Sequence, residues 1–221
     1  SGIAHEINNP LGVLCVKVEQ ARTLLKKDRL NELPSLIDSI EATTFRIAKI
    51  VKGLRSFARD GSRDPFVSVG VKSLIEDSLS FCQQRMQNHG IKLTVSEISD
   101  NLKIEARATE ISQVLLNLLN NAADAIEKME ERWIRIEIQD KDGEIRIAVV
   151  DSGKGLDKDI HEKIMQPFFT TKDVGKGLGL GLSISKGILE NHNGSLTYDT
   201  TATNTTFVMR FPKAQVQAMA A

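Results

Sequence analysis

The sequence predicts an α+β protein in two parts, a hairpin of two long helices followed by an α/β sandwich. Three observations carry this reading. The first sixty residues repeat apolar side chains on a heptad, residues 60–65 break that pattern with glycine and proline, and the remainder mixes short alternating runs with amphipathic helices. The boundaries that follow are a helical hairpin over residues 1–60 and a second domain over 66–213.

In the first part, Ile3, Ile7, Leu11, Leu14, Val18, Ala21 and Leu25 recur at spacings of four and three, predicting a helix over 3–27 with Pro10 softening its first turns. Residues 28–34 are polar with a proline and read as a turn. From 35 to about 59, Leu33, Ile40, Ile47 and Leu54 form one seam of a second helix and Leu36, Thr43, Ile50 and Phe57 another, with Ile37 and Val51 widening it. A lone hairpin covers one stripe per helix. Two hairpins paired as a four-helix bundle would cover both, so a homodimer is expected.

After residues 60–65, helices are expected at 71–89, 109–129 and 182–191, and strands at 91–95, 102–105, 134–139, 144–150, 195–199 and 205–211. Lys141-Asp142-Gly143 is the turn of a hairpin. Residues 155–181 are glycine-rich, and from Ala214 little pins the chain. The expected product is one helical layer on a largely antiparallel sheet.

Of 221 residues, 41% are hydrophobic and 26% charged, and the formal net charge is zero, which argues against a general nucleic-acid binder. Cys15 and Cys82 have no CxxC partner, so a reduced, cytoplasmic setting is expected. No apolar run nears the roughly 18 residues that span a bilayer. The abrupt start inside a helical pattern suggests a piece of a longer protein, so the lack of a membrane span describes this piece and not necessarily its parent.

Four segments of the second part read poorly as plain core. Asn117 and Asn121 share one helix face although Asn is a mediocre helix former; an amide oxygen suits Mg²⁺ that phosphates also hold, and a solvated polar face is the plainer alternative. A buried strand runs into Asp151, Gly153 and Gly155, placing an acceptor-only carboxylate beside glycines that let backbone approach a ligand. Phe168 and Phe169 precede Lys172 in a loop, an apolar clamp beside a cation. Gly175, Lys176, Gly177, Leu178, Gly179 and Gly181 lead into a helix, a pattern whose backbone N–H groups cradle anions. It is neither a Walker loop nor a Rossmann turn.

In this order and spacing the chain resembles the histidine-kinase branch of the GHKL (Bergerat-fold) ATPases, over about residues 1–212. Asn117 and Asn121 match the N box, Asp151, Gly153 and Gly155 the G1 box, Phe168 and Phe169 the F box, and Gly175, Gly177 and Gly179 the G2 box. The resemblance implies that ATP is the cofactor, that Asn121 holds Mg²⁺ with help from Asn117, that Asp151 reads the adenine amine, and that Thr205 lies near adenine. Asn204 stands where the family often has Gly. Many such kinases place Lys or Arg three residues after the Mg²⁺ asparagine. Here that residue is Asp124, so the phosphate-facing cation is expected from elsewhere, with Lys172 and Lys176 as candidates. The NAADA and FFTTK forms are similar to the nitrogen-regulation and dicarboxylate-sensing subgroups.

His5-Glu6-Ile7-Asn8-Asn9-Pro10 is similar to the H box of the dimerisation and phosphotransfer domain. With Ile7 in the seam, His5 and Asn9 face outward. A neutral imidazole has one lone-pair nitrogen able to attack phosphorus, and Glu6 can hold the other N–H. The resemblance implies that ATP phosphorylates His5, that an aspartate of a response regulator receives the phosphoryl group, and that Asn9 positions a water for dephosphorylating it. An ATPase switch in which His5 is incidental is the alternative from another class, and a nucleotide-binding scaffold is a third.

Overall fold

The computed structural model describes residues 2–58, 64–172 and 179–213, with side chains described at 10–45, at 47, and through the two later stretches. Two compact units result, one of residues 1–59 together with 170–178 and a larger one of residues 60–169 and 179–221.

The hairpin pairs α1 (Gly2–Lys26) with α2 (Leu33–Ala58). α1 passes through Pro10 unbroken, as a long helix tolerates one lost backbone bond. The polar turn contains a 3-10 turn at Leu30–Glu32, and α2 starts two residues earlier than expected, with Pro34 in its first turn where a missing N–H costs nothing. Leu14, Ala21 and Leu24 of α1 and Leu33, Leu36, Ile40, Thr43 and Ile47 of α2 are half-buried. The α1 seam therefore splits: Leu11 (39%), Val18 (43%) and Leu25 (57%) stay exposed. Lys17 Nζ reaches from α1 to the Ser39 carbonyl (3.3 Å) and the Ser39 hydroxyl.

In the larger unit, β1 (Val67–Gly70) leads into α3 (Val71–Asn88), and β2 (Lys92–Val95) and β3 (Lys103–Ala106) precede α4 (Ala108–Ile126). Then come β4 (Trp133–Lys141), β5 (Glu144–Asp151), a single turn α5 (Lys158–His161), α6 (Gly181–Asn191), β6 (Ser195–Tyr198) and β7 (Thr206–Pro212). The main sheet runs β2-β4-β5-β7-β6, antiparallel except for the parallel β2–β4 pair, and β1 and β3 form a separate antiparallel pair.

α3 ends where Gly90 takes φ +63°, and the Ile91 N–H closes onto the Met86 carbonyl. The β4–β5 turn is made by Asp142 (φ 57°) and Gly143 (φ 77°), the left-handed pair a two-residue hairpin needs. α4 is the central helix. Ile111, Val114, Leu115, Leu118, Leu119, Ala122 and Ile126 recur at three and four residues and are buried against Ile134, Ile136, Ile147 and Met209 of the sheet. That face fixes its other face, with Asn117 and Asn121, at the border of the core.

Candidate nucleotide-binding site

β5, the central strand of the sheet, ends on Asp151. The Asp151 N–H donates to the Thr205 carbonyl (3.0 Å), and the Thr205 N–H to the Gly153 carbonyl (3.1 Å), so β5 and the start of β7 bring these three residues together. Asp151 Oδ1 accepts the Gly153 N–H at 2.7 Å. A Cβ on Gly153 would stand 2.6 Å from Thr205 Oγ1 and 2.7 Å from that carboxylate, so only glycine fits. Asn204, in place of the more usual glycine, donates its amide to the Gly153 carbonyl at 3.1 Å and so braces the same turn.

Asp151 is 3% exposed. Burial pushes its carboxyl up to about 6, against the lowering pull of the Gly153 N–H and the Thr205 hydroxyl. At neutral pH it is an ionised acceptor short of water, suited to an N–H donor such as an exocyclic amine. Gly155 (φ +87°) turns the chain onward, and the Leu156 N–H donates to Tyr198 Oη at 2.8 Å.

The second cluster forms where α4 meets the start of α6. Asn117 donates its amide to the buried Ser185 hydroxyl at 2.9 Å. A Cβ on Gly181 would collide with the Asn117 amide oxygen. This close approach sets that oxygen beside the first turn of α6, where N–H groups without an intrahelical acceptor and the positive dipole end favour an anion. Asn121 is half-buried one turn further along α4. The Phe168 N–H donates to the Gly179 carbonyl at 2.9 Å, and Gly179 (φ +65°) lies so close to the Phe168 and Phe169 backbone that a Cβ would overlap it. Phe168 itself takes φ 69°, a strained conformation for a bulky residue. The Lys172 N–H donates to Thr170 Oγ1 at 3.1 Å.

A buried carboxylate, a threonine hydroxyl, an amide oxygen at a helix start and glycines at each close approach form a donor and acceptor set that fits a purine nucleotide and its phosphates. Gly175, Lys176, Gly177 and Leu178 lie outside the described residues, as do the side chains of His5, Glu6 and Asn9, whose backbone belongs to α1.

Two contributors, and one contact elsewhere on α4, were not anticipated. Ser185 is one of several polar residues on an amphipathic helix and nothing local marks it. Tyr198 is the chain's single tyrosine, and only that rarity could have drawn notice. Arg85 on α3 places Nη2 2.6 Å from Asp124 Oδ1 and Nη1 on the Asn120 amide oxygen, contacts between residues 39 and 35 apart in sequence.

Residues 106–215 match the family described as histidine kinase-, DNA gyrase B- and HSP90-like ATPase. The C4-dicarboxylate transport sensor protein DctB of Rhizobium meliloti is 32% identical over 216 residues, 97% of this chain and 34% of that protein. Sensor protein FixL of Bradyrhizobium diazoefficiens is 31% identical over 221 residues, 97% of this chain and 43% of its own length. The chain thus spans well under half of these curated relatives. Among solved structures, the catalytic domain of histidine kinase ThkA superposes with a TM-score of 0.59 at 33% identity, covering 67% of this chain and 95% of that one. ThkA in complex with the response regulator protein TrrA superposes with a TM-score of 0.67 at 26% identity, covering 96% of this chain and 60% of that one. With nearly the whole of a solved kinase catalytic domain matched at 33% identity, the chain belongs to the histidine kinase-, DNA gyrase B- and HSP90-like ATPase family, in its histidine-kinase branch.

Proposed function

We propose that this chain is the catalytic core of a sensor histidine kinase, which uses ATP to phosphorylate His5 and passes the phosphoryl group to an aspartate of a response-regulator receiver domain. The observation that carries the nucleotide half is the convergence of the buried Asp151 carboxylate, Gly153 and Thr205. Asp151 accepts the adenine amine and Thr205 holds that carboxylate in place. Phosphates lie at the start of α6 beside Asn117. The amide oxygens of Asn121 and Asn117 would hold Mg²⁺, which would supply positive charge to the transferring group.

His5 supplies the acceptor. Glu6 holds one ring N–H, the other nitrogen attacks the γ-phosphorus, and ADP leaves. The receiver carboxylate then attacks the phosphorus, releasing the imidazole. Asn9 orients a water for the reverse regulatory step, removal of phosphate from the receiver. The relatives' names support the sensor reading, and ThkA's complex with a response regulator supports the receiver as partner.

The exposed stripe of Leu11, Val18 and Leu25 favours a homodimer through residues 1–60, which we assign to dimerisation and phosphotransfer. Among the described residues no helix is long and apolar enough to cross a membrane. The kinase core acts where ATP is, in the cytoplasm, on a parent whose sensor and membrane anchor lie elsewhere in the protein.

Incubation with γ-labelled ATP and Mg²⁺ tests the reading. The expected product is an acid-labile, base-stable phosphoprotein that loses label to a receiver domain. Release of free phosphate with no labelled protein would favour the ATPase-switch alternative instead.

A further inference from the structure

We propose that Arg85, on α3, is the cation that meets the terminal phosphate of the bound nucleotide, held in position by Asp124 and Asn120. The inference rests on the nucleotide reading above. Phosphates laid along the Asn117 and Asn121 face bring concentrated negative charge, and phosphoryl transfer is catalysed chiefly by positioning and by positive charge. Yet the side chain that continues this face is Asp124. Seven residues beyond Asn117, it points within about 20° of the same direction on the helix. A bare carboxylate there would repel the phosphates.

Arg85 resolves that conflict. Its Nη2 lies 2.6 Å from Asp124 Oδ1, and its Nη1 meets the Asn120 amide oxygen. Both oxygens come from α4, so the guanidinium plane is fixed against the helix that carries Asn117 and Asn121. The fork has five N–H groups, and these two contacts use two of them. A guanidinium can hold one carboxylate and still offer another edge to a phosphate, which a lysine ammonium does less well. The Arg85 side chain is 42% exposed, so an incoming anion can reach it. Partly exposed ion pairs add little to folding, which leaves a purely structural role for this pair with little to explain it. Asp124 and Asn120 are then positioning residues, and Arg85 is the group that touches the nucleotide.

A terminal-phosphate contact distinguishes ATP from ADP, whereas a tie between α3 and α4 does not. Affinities for Mg·ATP and Mg·ADP are measured for the unaltered chain, Arg85→Ala and Arg85→Lys, with thermal melting of each without nucleotide. Arg85→Ala is expected to lose about tenfold in ATP affinity, the scale of one charge-assisted contact, while ADP affinity stays within about twofold and the melting temperature is unchanged. Arg85→Lys recovers part of the loss. Equal weakening of ATP and ADP, or no change in either, overturns the assignment. If the unaltered chain bound neither nucleotide, the nucleotide reading itself would fall, a result separable from failure of Arg85 alone.

Discussion

Replacing Asp151 with asparagine should move stability and nucleotide affinity in opposite directions. The carboxyl is 3% exposed and burial raises it from 3.8 to about 6. Ionising it at pH 7 therefore costs the nucleotide-free fold about 3 kcal/mol relative to an unperturbed carboxyl. The sign follows from proton binding. Between about pH 4 and 6 the folded protein holds a proton that the unfolded chain has lost, so stability falls as pH rises through that window and stays low above it. The substituted amide would keep an oxygen for the Gly153 N–H and carry no charge to desolvate. The Asp151→Asn protein should melt higher at pH 7, by an amount equivalent to about 1–3 kcal/mol, and lose that pH dependence. Binding should change the other way. A charge-assisted bond from the adenine amine becomes a neutral one, costing about 1.5–3 kcal/mol, or roughly ten- to a hundredfold in affinity. ATP affinity of the unaltered chain should also fall as pH drops through about 6, because adenine recognition needs the carboxylate. Thermal melts with and without ATP, alongside direct titration between about pH 5 and 8, read both effects across the titration of this carboxyl. An Asp151→Asn protein that melts lower without nucleotide, or binds ATP as tightly as the unaltered chain, would overturn this picture of a buried, ligand-reading carboxylate.

Other substitutions probe the supporting geometry. Gly179→Ala forces a side chain into φ +65° and into the Phe168 backbone; a loss of about 1–3 kcal/mol should appear as a lower melting temperature. Gly181→Ala pushes the Asn117 amide from the start of α6 and should weaken ATP binding more than it lowers melting, measured by titration and melting together. Tyr198→Phe leaves the Leu156 N–H without its acceptor and should cost about 1 kcal/mol in chemical denaturation. Val18→Glu places a charge in the exposed stripe of α1 and should shift the chain from dimer toward monomer in light scattering, with ATP affinity unchanged.

What the sequence revealed and what it withheld divide along physical lines. Periodic elements were legible. The spacing of Ile111, Val114, Leu118 and Leu119 marks α4, and with it the shared face of Asn117 and Asn121. Asp142-Gly143 likewise announces the β4–β5 turn. Short or long-range features were not. β1 is four residues with one alternation, running straight into α3, and exists by pairing with β3 some 35 residues away. The parallel β2–β4 pairing has no local signal, and α5 is a single turn. Met129 continues the apolar pattern of α4 and packs on the core, yet the helix stops at Ile126 and a turn closed by the Met129 N–H on the Ile126 carbonyl carries the side chain inward. The heptad located the hairpin but could not show that the faces of Leu14 and Ala21 would separate from those of Leu11 and Val18. In the site, glycines and the buried carboxylate stood out because they break the rules for core residues. Arg85 did not, because one arginine on an amphipathic helix looks like solvated surface until α4 is packed beside it.

The proposed kinase activity turns on whether His5 receives the phosphoryl group from ATP bound around Asp151. Label transfer from γ-labelled ATP to the unaltered chain and to His5→Gln, with ATP affinity measured on both, decides it. A labelled unaltered chain, an unlabelled His5→Gln chain and equal ATP affinities are expected. Labelling of His5→Gln at the unaltered level would contradict the assignment of His5 as the phosphoryl acceptor.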